Sequence, residues 1–413
     1  MLFSLRAFSQ SGWIRQPGLP GGVSINSVYF ENQFTGWIAG SGGTILKTTN
    51  GGENWIAKNS GSQDYLTNIF FFSSDTGYVT GDSGTILKST DTGENWLRQN
   101  SGTFSFLRSQ TFVNNFEGYV VGNNNTFLKT TNGGTNWVSI SLGDSIFVGA
   151  FDVKFFSQDI GWIAGLNTKN NHTQFFKTTN LGNVWFSIYD FGISGNVTSF
   201  YFITEQYGFL ALENSANSFT TIYKTEDGGL NWIPSDTSIG PYAYIYFTDL
   251  NNGWYVGPSN QIFHTSNSGN EWTRQSIPPL PLVDFYTCYF IDTLIGWAGG
   301  SGNVLMKTTT GGVLTGFSNS TSEIPDRYFL SQNYPNPFNP ITNITFGISK
   351  QGFITLKVYD VLGNEVSILN NGNMTAGNYE VNFDGSNLSS GMYFYRFDVD
   401  GSMVDTRRML LLK

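Results

Sequence analysis

The chain has 413 residues, of which 12% are charged and 16% aromatic, with a formal net charge of −9. That acidity, without any cluster of Lys and Arg, disfavours nucleic acid and an anionic membrane surface as partners. The single cysteine, Cys288, excludes a disulfide framework and a cysteine-rich zinc site, and no apolar run approaches the roughly 18 residues of a membrane span.

In chain order, MLFSLRAFS (1–9) reads as the remnant of a secretory signal peptide, with Ala7 and Ser9 in the small-residue positions ahead of a cut. A repeat then takes over. Gly-aromatic pairs stand at Gly36-Trp37, Gly77-Tyr78, Gly118-Tyr119, Gly161-Trp162, Gly208-Phe209, Gly253-Trp254 and Gly296-Trp297, 41 to 47 residues apart. Six residues before each glycine is a phenylalanine: Phe30, Phe71, Phe112, Phe155, Phe202, Phe247 and Phe290. Short apolar and β-branched runs between Gly, Asn and Ser turns give each unit four strands. The prediction is an all-β chain whose residues 10–314 form a seven-bladed β-propeller.

The seventh unit has Thr315 where a fourth strand should open with tryptophan. SGWIRQPG at 11–18 matches NWIAKNSG, and Trp13 lies 23 residues before Gly36, against 21 to 24 in the other units. The N-terminal strand is therefore expected to complete the last blade, which removes two open edges.

Between third and fourth strands runs KTTNGGENW (47–55), repeated in six units. Its fixed positions are Asn50, Gly52 and Trp55; Asp91, Gly93 and Trp96; Asn132, Gly134 and Trp137; Asn180, Gly182 and Trp185; Asp227, Gly229 and Trp232; Asn267, Gly269 and Trp272. The expected role is structural. The Asn or Asp side chain should accept backbone N–H groups two residues on, the Ser or Thr hydroxyl should pair across the loop, glycine supplies positive φ, and tryptophan covers the hairpin. Four of the six carry Asn where a calcium site would need Asp. The motif resembles the Asp-box (BNR repeat) of propeller proteins, and GWIAG…GTILKTTNGG…W looks like the repeat of the photosystem II assembly and stability factor family. That resemblance implies the fold and a binding rather than a catalytic role.

Other reactive residues are expected to be bland. Cys288 takes an inner-strand position held elsewhere by Val28, Ile69, Val153 and Ile245, so it should be buried and inert. His264 replaces the repeated Lys47, Lys88, Lys129, Lys177, Lys224 and Lys307, read as exposed strand residues. Of the propeller arginines, Arg15, Arg98, Arg108 and Arg274, all but Arg108 follow a fourth-strand tryptophan by two residues, on the outer perimeter. A sialidase-like arginine cluster is thus not expected. No catalytic residue, cofactor or metal is predicted.

The irregular features are five extra residues between second and third strands in blades 4 and 5. Raised loops on adjacent blades make Lys169, Asn170, His172, Asn214 and Asn217 a candidate ligand patch, with Tyr189 and Pro278 to Pro281 as neighbours on that face.

After a polar linker (315–327), alternating short strands over 328–413 predict a small immunoglobulin-like β-sandwich. Its motifs are QNYPNPFNP, with Asn333, Pro335, Asn336, Pro337 and Phe338; VYDVLG, with Tyr359, Asp360 and Gly363; SSGMYFY, with Gly391 and Tyr393; and the terminal Lys413. The prolines are expected to fix an extended leading strand. This segment resembles the type A C-terminal sorting domain of the type IX secretion system. The resemblance implies handling by the type IX machinery, passage through the periplasm, and release or attachment to surface lipopolysaccharide. The expected protein is a secreted or cell-surface, non-enzymatic propeller that binds a glycan or protein. The alternatives are a glycoside-acting, sialidase-like enzyme and a scaffold for envelope assemblies.

Overall fold

The computed structural model describes residues 12–17, 19, 22–140, 147–167, 169–312, 325–385 and 388–413. The signal-peptide remnant at 1–9 and most of the linker lie outside these residues. The chain divides into two compact units, Met1–Val313 and Leu314–Lys413.

The first unit is seven antiparallel four-stranded sheets. In blade 1 the strands are Ile25–Phe30, Gly36–Gly40, Ile45–Thr48 and Ile56–Lys58, from the axis outward. Blade 7 is Phe285–Phe290, Gly296–Gly300 and Leu305–Gly312, and its outer strand is Gly12–Arg15 from the other end of the unit. Trp13 pairs with Thr308 and Ile14 with Lys307, so the ring closes as the repeat spacing requires.

One aromatic sandwich explains the repeated residues. In blade 1, Phe30 lies across from Gly36, and a Cβ on that glycine would come within 2.4 Å of the phenylalanine ring. Glycine is obligatory because the ring occupies that space. The other side of Phe30 stacks on Trp297 of blade 7 at 3.4 Å between centroids, and its edge meets the blade's own Trp55 at 5.9 Å. The stack recurs at the remaining seams: Trp37–Phe71, Tyr78–Phe112, Tyr119–Phe155, Trp162–Phe202, Phe209–Phe247 and Trp254–Phe290, with centroids 3.8 to 4.6 Å apart. Each pair adds about 0.5–1.5 kcal/mol beyond the area it buries. Blades are therefore glued by residues the repeat fixes.

The lysine position differs from the expectation of exposure. Lys47 and Lys224 are buried, and Lys47, Lys88, Lys129, Lys177 and Lys307 lie 5.3 to 5.5 Å over the second-strand aromatic ring. The side chain faces the seam, so its aliphatic stem covers the ring while its amine reaches the next blade. His264 is likewise half-buried, 4.7 Å from Trp254, and burial pushes its pKa down to about 4. Cys288 is 1% exposed, and burial raises its thiol pKa.

The second unit is two facing sheets. One orders Phe329–Leu330, Ile341–Ile348 and Gly377–Asp384; the other orders Glu365–Met374, Gly352–Tyr359, Gly391–Val399 and Ser402–Leu411. Ile344, Phe346, Ile354, Leu356, Val358, Tyr395, Phe397 and Leu411 fill the space between them.

Candidate binding site at the mouth of the axial channel

The Asp-box loops share one face of the propeller with the turns between inner and second strands, because both reverse the chain at the same end of the blade. There most of the polar groups are consumed internally, the buried Trp37 and Trp137 indole nitrogens excepted. Thr48 Oγ accepts Asn50 N–H (3.3 Å) and Gly52 N–H (3.0 Å), and Asn50 Oδ1 accepts Asn54 N–H (3.0 Å). The expected roles are thus partly exchanged: the hydroxyl takes the amide two residues on, and the carboxamide one four residues on. Trp55 Nε1 donates to Gly52 O at 3.1 Å, and Gly52 sits at φ 94°.

Trp96, Trp185 and Trp232 repeat that indole bond. Asn132 and Asn180, with Asp91, Asp227 and Asn267, repeat the carboxamide or carboxylate acceptor to the residue four on. Gly93, Gly134, Gly182, Gly229 and Gly269 each donate to the motif hydroxyl. Trp137 packs edge-on against Phe112, and Trp272 donates instead to Ser235 Oγ at 3.0 Å. In Asp91 the hydrogen bonds from Asn95, from its backbone N–H and from Ser89 hold the carboxyl down at about 2.

The same loops receive the preceding blade. Gly51 O accepts from Lys307 Nζ (3.0 Å) and Trp297 Nε1 (3.3 Å), and Gly133 O from Lys88 Nζ (2.6 Å) and Tyr78 OH (2.9 Å). Each box is a seam fastener as well as a turn. Among the described residues no three His, Cys, Asp or Glu side chains gather as metal ligands.

The loops between second and third strands lie on the opposite face. In blade 4, Asn170 Nδ2 and His172 Nδ1 both reach Asp190 of the outer strand, at 2.9 and 3.0 Å, and Lys169 N–H is held by Asn167. In blade 5, Asn214 Oδ1 and Asn217 Oδ1 accept Ala216 N–H and Phe219 N–H within their own turn. Among the described residues no hydrogen bond joins the two hairpins. The patch residues are placed on one face but serve their own loops.

On that face five inner strands converge on a cavity of about 240 Å³. It is lined by Phe106 and Arg108 of blade 3, Phe151 of blade 4, Asn196 to Thr198 of blade 5, Tyr242 to Tyr244 of blade 6 and Tyr286 of blade 7. Tyr65 and Asn26 carry the rim through blades 2 and 1: Tyr65 lies 6.2 Å from Phe106 and donates to Asn26 Oδ1 at 2.7 Å. Deeper along the strands Tyr201, Tyr246, Tyr289 and Tyr29 form an arc with centroids 5.2 to 5.3 Å apart, and burial raises each hydroxyl pKa. Two larger clefts, of about 460 and 520 Å³, lie at the outer ends of blades 6 and 2, each lined mainly by one connecting loop. Of these three, only the axial cavity draws on several blades.

Arg108 is the residue that sequence reasoning missed, although the repeat phase held the signal. It stands four residues before Phe112, where blades 1, 2 and 5 have Asn26, Thr67 and Thr198. Those three donate to a backbone carbonyl of the next blade: Leu66 O (2.7 Å), Leu107 O (2.7 Å) and Ala243 O (2.8 Å). Arg108 instead lies between the rings of Phe106 (5.8 Å) and Phe151 (5.3 Å), with Nε donating to Asn123 Oδ1 at 2.7 Å. Burial lowers its pKa, which leaves a guanidinium charged but poorly solvated.

In the second unit, the proline segment is a series of bends rather than an extended strand, because it crosses between sheets. Tyr334 bridges Asn343 on one sheet and Phe338 bridges Leu411 on the other. Asn333 is buried, its N–H donating to Tyr395 OH (2.7 Å) and its Nδ2 to Thr342 Oγ (2.9 Å) and Pro335 O (3.0 Å). Asn336 Oδ1 accepts Leu410 N–H at 2.9 Å. Asp360 accepts Leu362 N–H and Asn364 N–H, both at 2.9 Å, around Gly363 at φ 83°. Gly391 pairs with Leu411, Tyr359 with Glu365, and Tyr393 OH donates to Ser389 O at 2.8 Å. Lys413 N–H donates to Ser390 Oγ at 3.0 Å. The motif residues thus build the sandwich around its last strand.

Fold and site define a seven-bladed Asp-box propeller joined to a secretion sorting domain. Residues 332–411 match the family described as secretion system C-terminal sorting domain, and residues 7–103 match the photosynthesis system II assembly factor YCF48 family. The sorting domain indicates export to the cell surface or secretion by the type IX system. No curated protein sequence matches the chain.

Among solved structures, YCF48 from Cyanidioschyzon merolae is 20% identical, with TM-score 0.57 over 72% of this chain and 98% of that one. PorZ, a type IX surface component of Porphyromonas gingivalis, is 12% identical, with TM-score 0.55 over 94% of this chain and 59% of that one. A xyloglucanase from Xanthomonas campestris is 8% identical, with TM-score 0.57 over 82% of this chain and 60% of that one. At these identities the likeness is one of fold.

Proposed function

We propose that the protein is a non-enzymatic binding propeller, displayed on or released from the cell by the type IX machinery, that takes a glycan or protein ligand at its axial mouth. The observation that carries this reading is the composition of that mouth. Blades 3, 4, 6 and 7 contribute aromatic rings, blade 3 an arginine and blade 5 an asparagine, and among the described residues the lining has no Asp, Glu or His. Aromatic walls with a few convergent polar groups are the chemistry of ligand capture. Glycoside hydrolysis needs a pair of carboxyl groups flanking the bond. Asp152, a buried carboxylate of the blade 4 inner strand, is tied to Ser109 Oγ (2.5 Å), Val153 N–H (2.9 Å) and Phe200 N–H (3.3 Å), a tether between inner strands. The raised hairpins of blades 4 and 5 are an outer wall to the same face, linked to the mouth by Asn196 Nδ2 donating to Glu213 (3.1 Å).

Incubating the full chain with mixed glycan and peptide libraries and reading retained and cleaved species by mass spectrometry tests this. Retention without cleavage, lost in Tyr286→Ala, is expected; cleavage overturns the non-enzymatic reading. Deleting 328–413 should leave the propeller in the periplasm, and normal export of that deletion would remove the sorting role. Attachment to lipopolysaccharide is tested by whether the surface-held form carries its mass.

A further inference from the structure

We infer that the axial mouth binds a carboxylate carried on a compact ring or apolar group, held by the Arg108 guanidinium between Phe106 and Phe151. This deepens, and rests on, the reading of the mouth as a binding site. The first argument is charge without a partner. Arg108 is half-buried, its Nε is used by Asn123, and among the described residues its two terminal nitrogens meet no carboxylate. Of the other partly buried cations of the propeller, Lys47, Lys224 and Lys129 meet carboxylates (2.7, 2.7 and 3.8 Å), Lys88 and Lys307 give their amines to Gly133 O (2.6 Å) and Gly51 O (3.0 Å) of the next blade, and Lys177 lies over the Trp162 ring. Withdrawing part of a guanidinium from water is costly unless its N–H groups meet acceptors, and a bound anion would supply them at Arg108.

A second observation is independent of the first. The Tyr242 hydroxyl, across the same cavity, is buried without a hydrogen-bond partner. Buried polar groups are nearly always satisfied, and an orphan marks a position that a missing group completes. A carboxylate can meet both: one guanidinium fork accepts it in bidentate fashion, and a hydroxyl adds a further donor. A phosphate, with nearly two charges, would call for a second cation, and among the described residues the lining has none.

Size and walls narrow the carrier. About 240 Å³ is at the small end of ligand pockets, which suits a single terminal group and not the middle of a long chain. The faces of Phe106, Phe151 and Tyr286 suit the flat apolar side of a sugar ring or an apolar side chain. The net charge of −9 opposes an anion only at long range, and screening over roughly 8 Å at physiological salt reduces that penalty. A uronic acid and a peptide C-terminus share this chemistry.

The test uses the full chain and two matched probe pairs, by titration calorimetry and ligand-observed NMR. Methyl β-D-glucuronide is set against methyl β-D-glucoside, and acetyl-alanyl-tyrosine with a free carboxyl against its amide. The acid of one pair should bind roughly tenfold or more tightly than its neutral partner, and which pair does so identifies the source. Arg108→Gln should erase that preference and Arg108→Lys should keep part of it. If Arg108→Gln does not fold, the acid-to-neutral ratio on the unaltered chain still decides. Equal binding of acid and neutral forms overturns the carboxylate while keeping the mouth as a site; no binding by any probe overturns the inference, and the library experiment then judges the mouth itself.

Discussion

The two faces of the propeller use the same polar residue types to opposite ends. On the Asp-box face of blade 1, Thr48, Asn50, Trp55 and Lys307 close on one another and on Gly51. On the other face Arg108 and the Tyr242 hydroxyl are half-buried or buried and incompletely paired. Repetition thus marks what holds blades together, and departure from the repeat marks where the molecule meets something else.

The sharpest way to break that contrast is to truncate a repeated residue. Trp55→Ala should cost about 3–5 kcal/mol by denaturant unfolding, since it removes a buried ring from beneath Phe30, with ligand affinity of the folded fraction unchanged. A selective loss of affinity would make the box a site. His264 comes next. Its folded pKa of about 4 is below the ordinary 6.5, so between those values the unfolded chain binds more protons and stability falls as pH is lowered. The loss should reach about 2–3 kcal/mol near pH 4 and be absent in His264→Gln, measured by unfolding across pH. A flat profile in the unaltered chain would return His264 to the exposed surface.

Smaller again, Lys307→Met should cost about 1–2 kcal/mol: the stem still covers Trp297, but one of two donors to Gly51 O is lost. The smallest effect is expected where function is proposed. Arg108→Gln removes a half-buried charge that meets no carboxylate along with its contacts to two rings, so stability should stay within about 1 kcal/mol of the original. A large loss would recast Arg108 as one more structural residue.

Much of this was legible in one sequence. A phenylalanine six residues before every Gly-aromatic pair fixes a cross-strand partner, and Trp13 supplies the missing seventh tryptophan at the right distance. The lysine position is buried against the expectation because strand alternation says which side of a sheet a residue takes, not that both sides of a propeller blade are buried by neighbours. Insertion length points to Lys169, Asn170, His172, Asn214 and Asn217, but it locates a loop and not where its side chains turn; Asp190 claims two of them.

By itself, then, the sequence determined the number of blades, the closing strand, the boxes and the sorting tail, because each depends on local spacing repeated often enough to read. Tertiary structure alone decided which carbonyl each lysine meets, which side chains rim the axis, and that Arg108 stands there without an acidic partner. Those are relations among residues of different blades, roughly 40 or more positions apart along the chain, and they exist only when closure of the ring brings the inner strands around one axis.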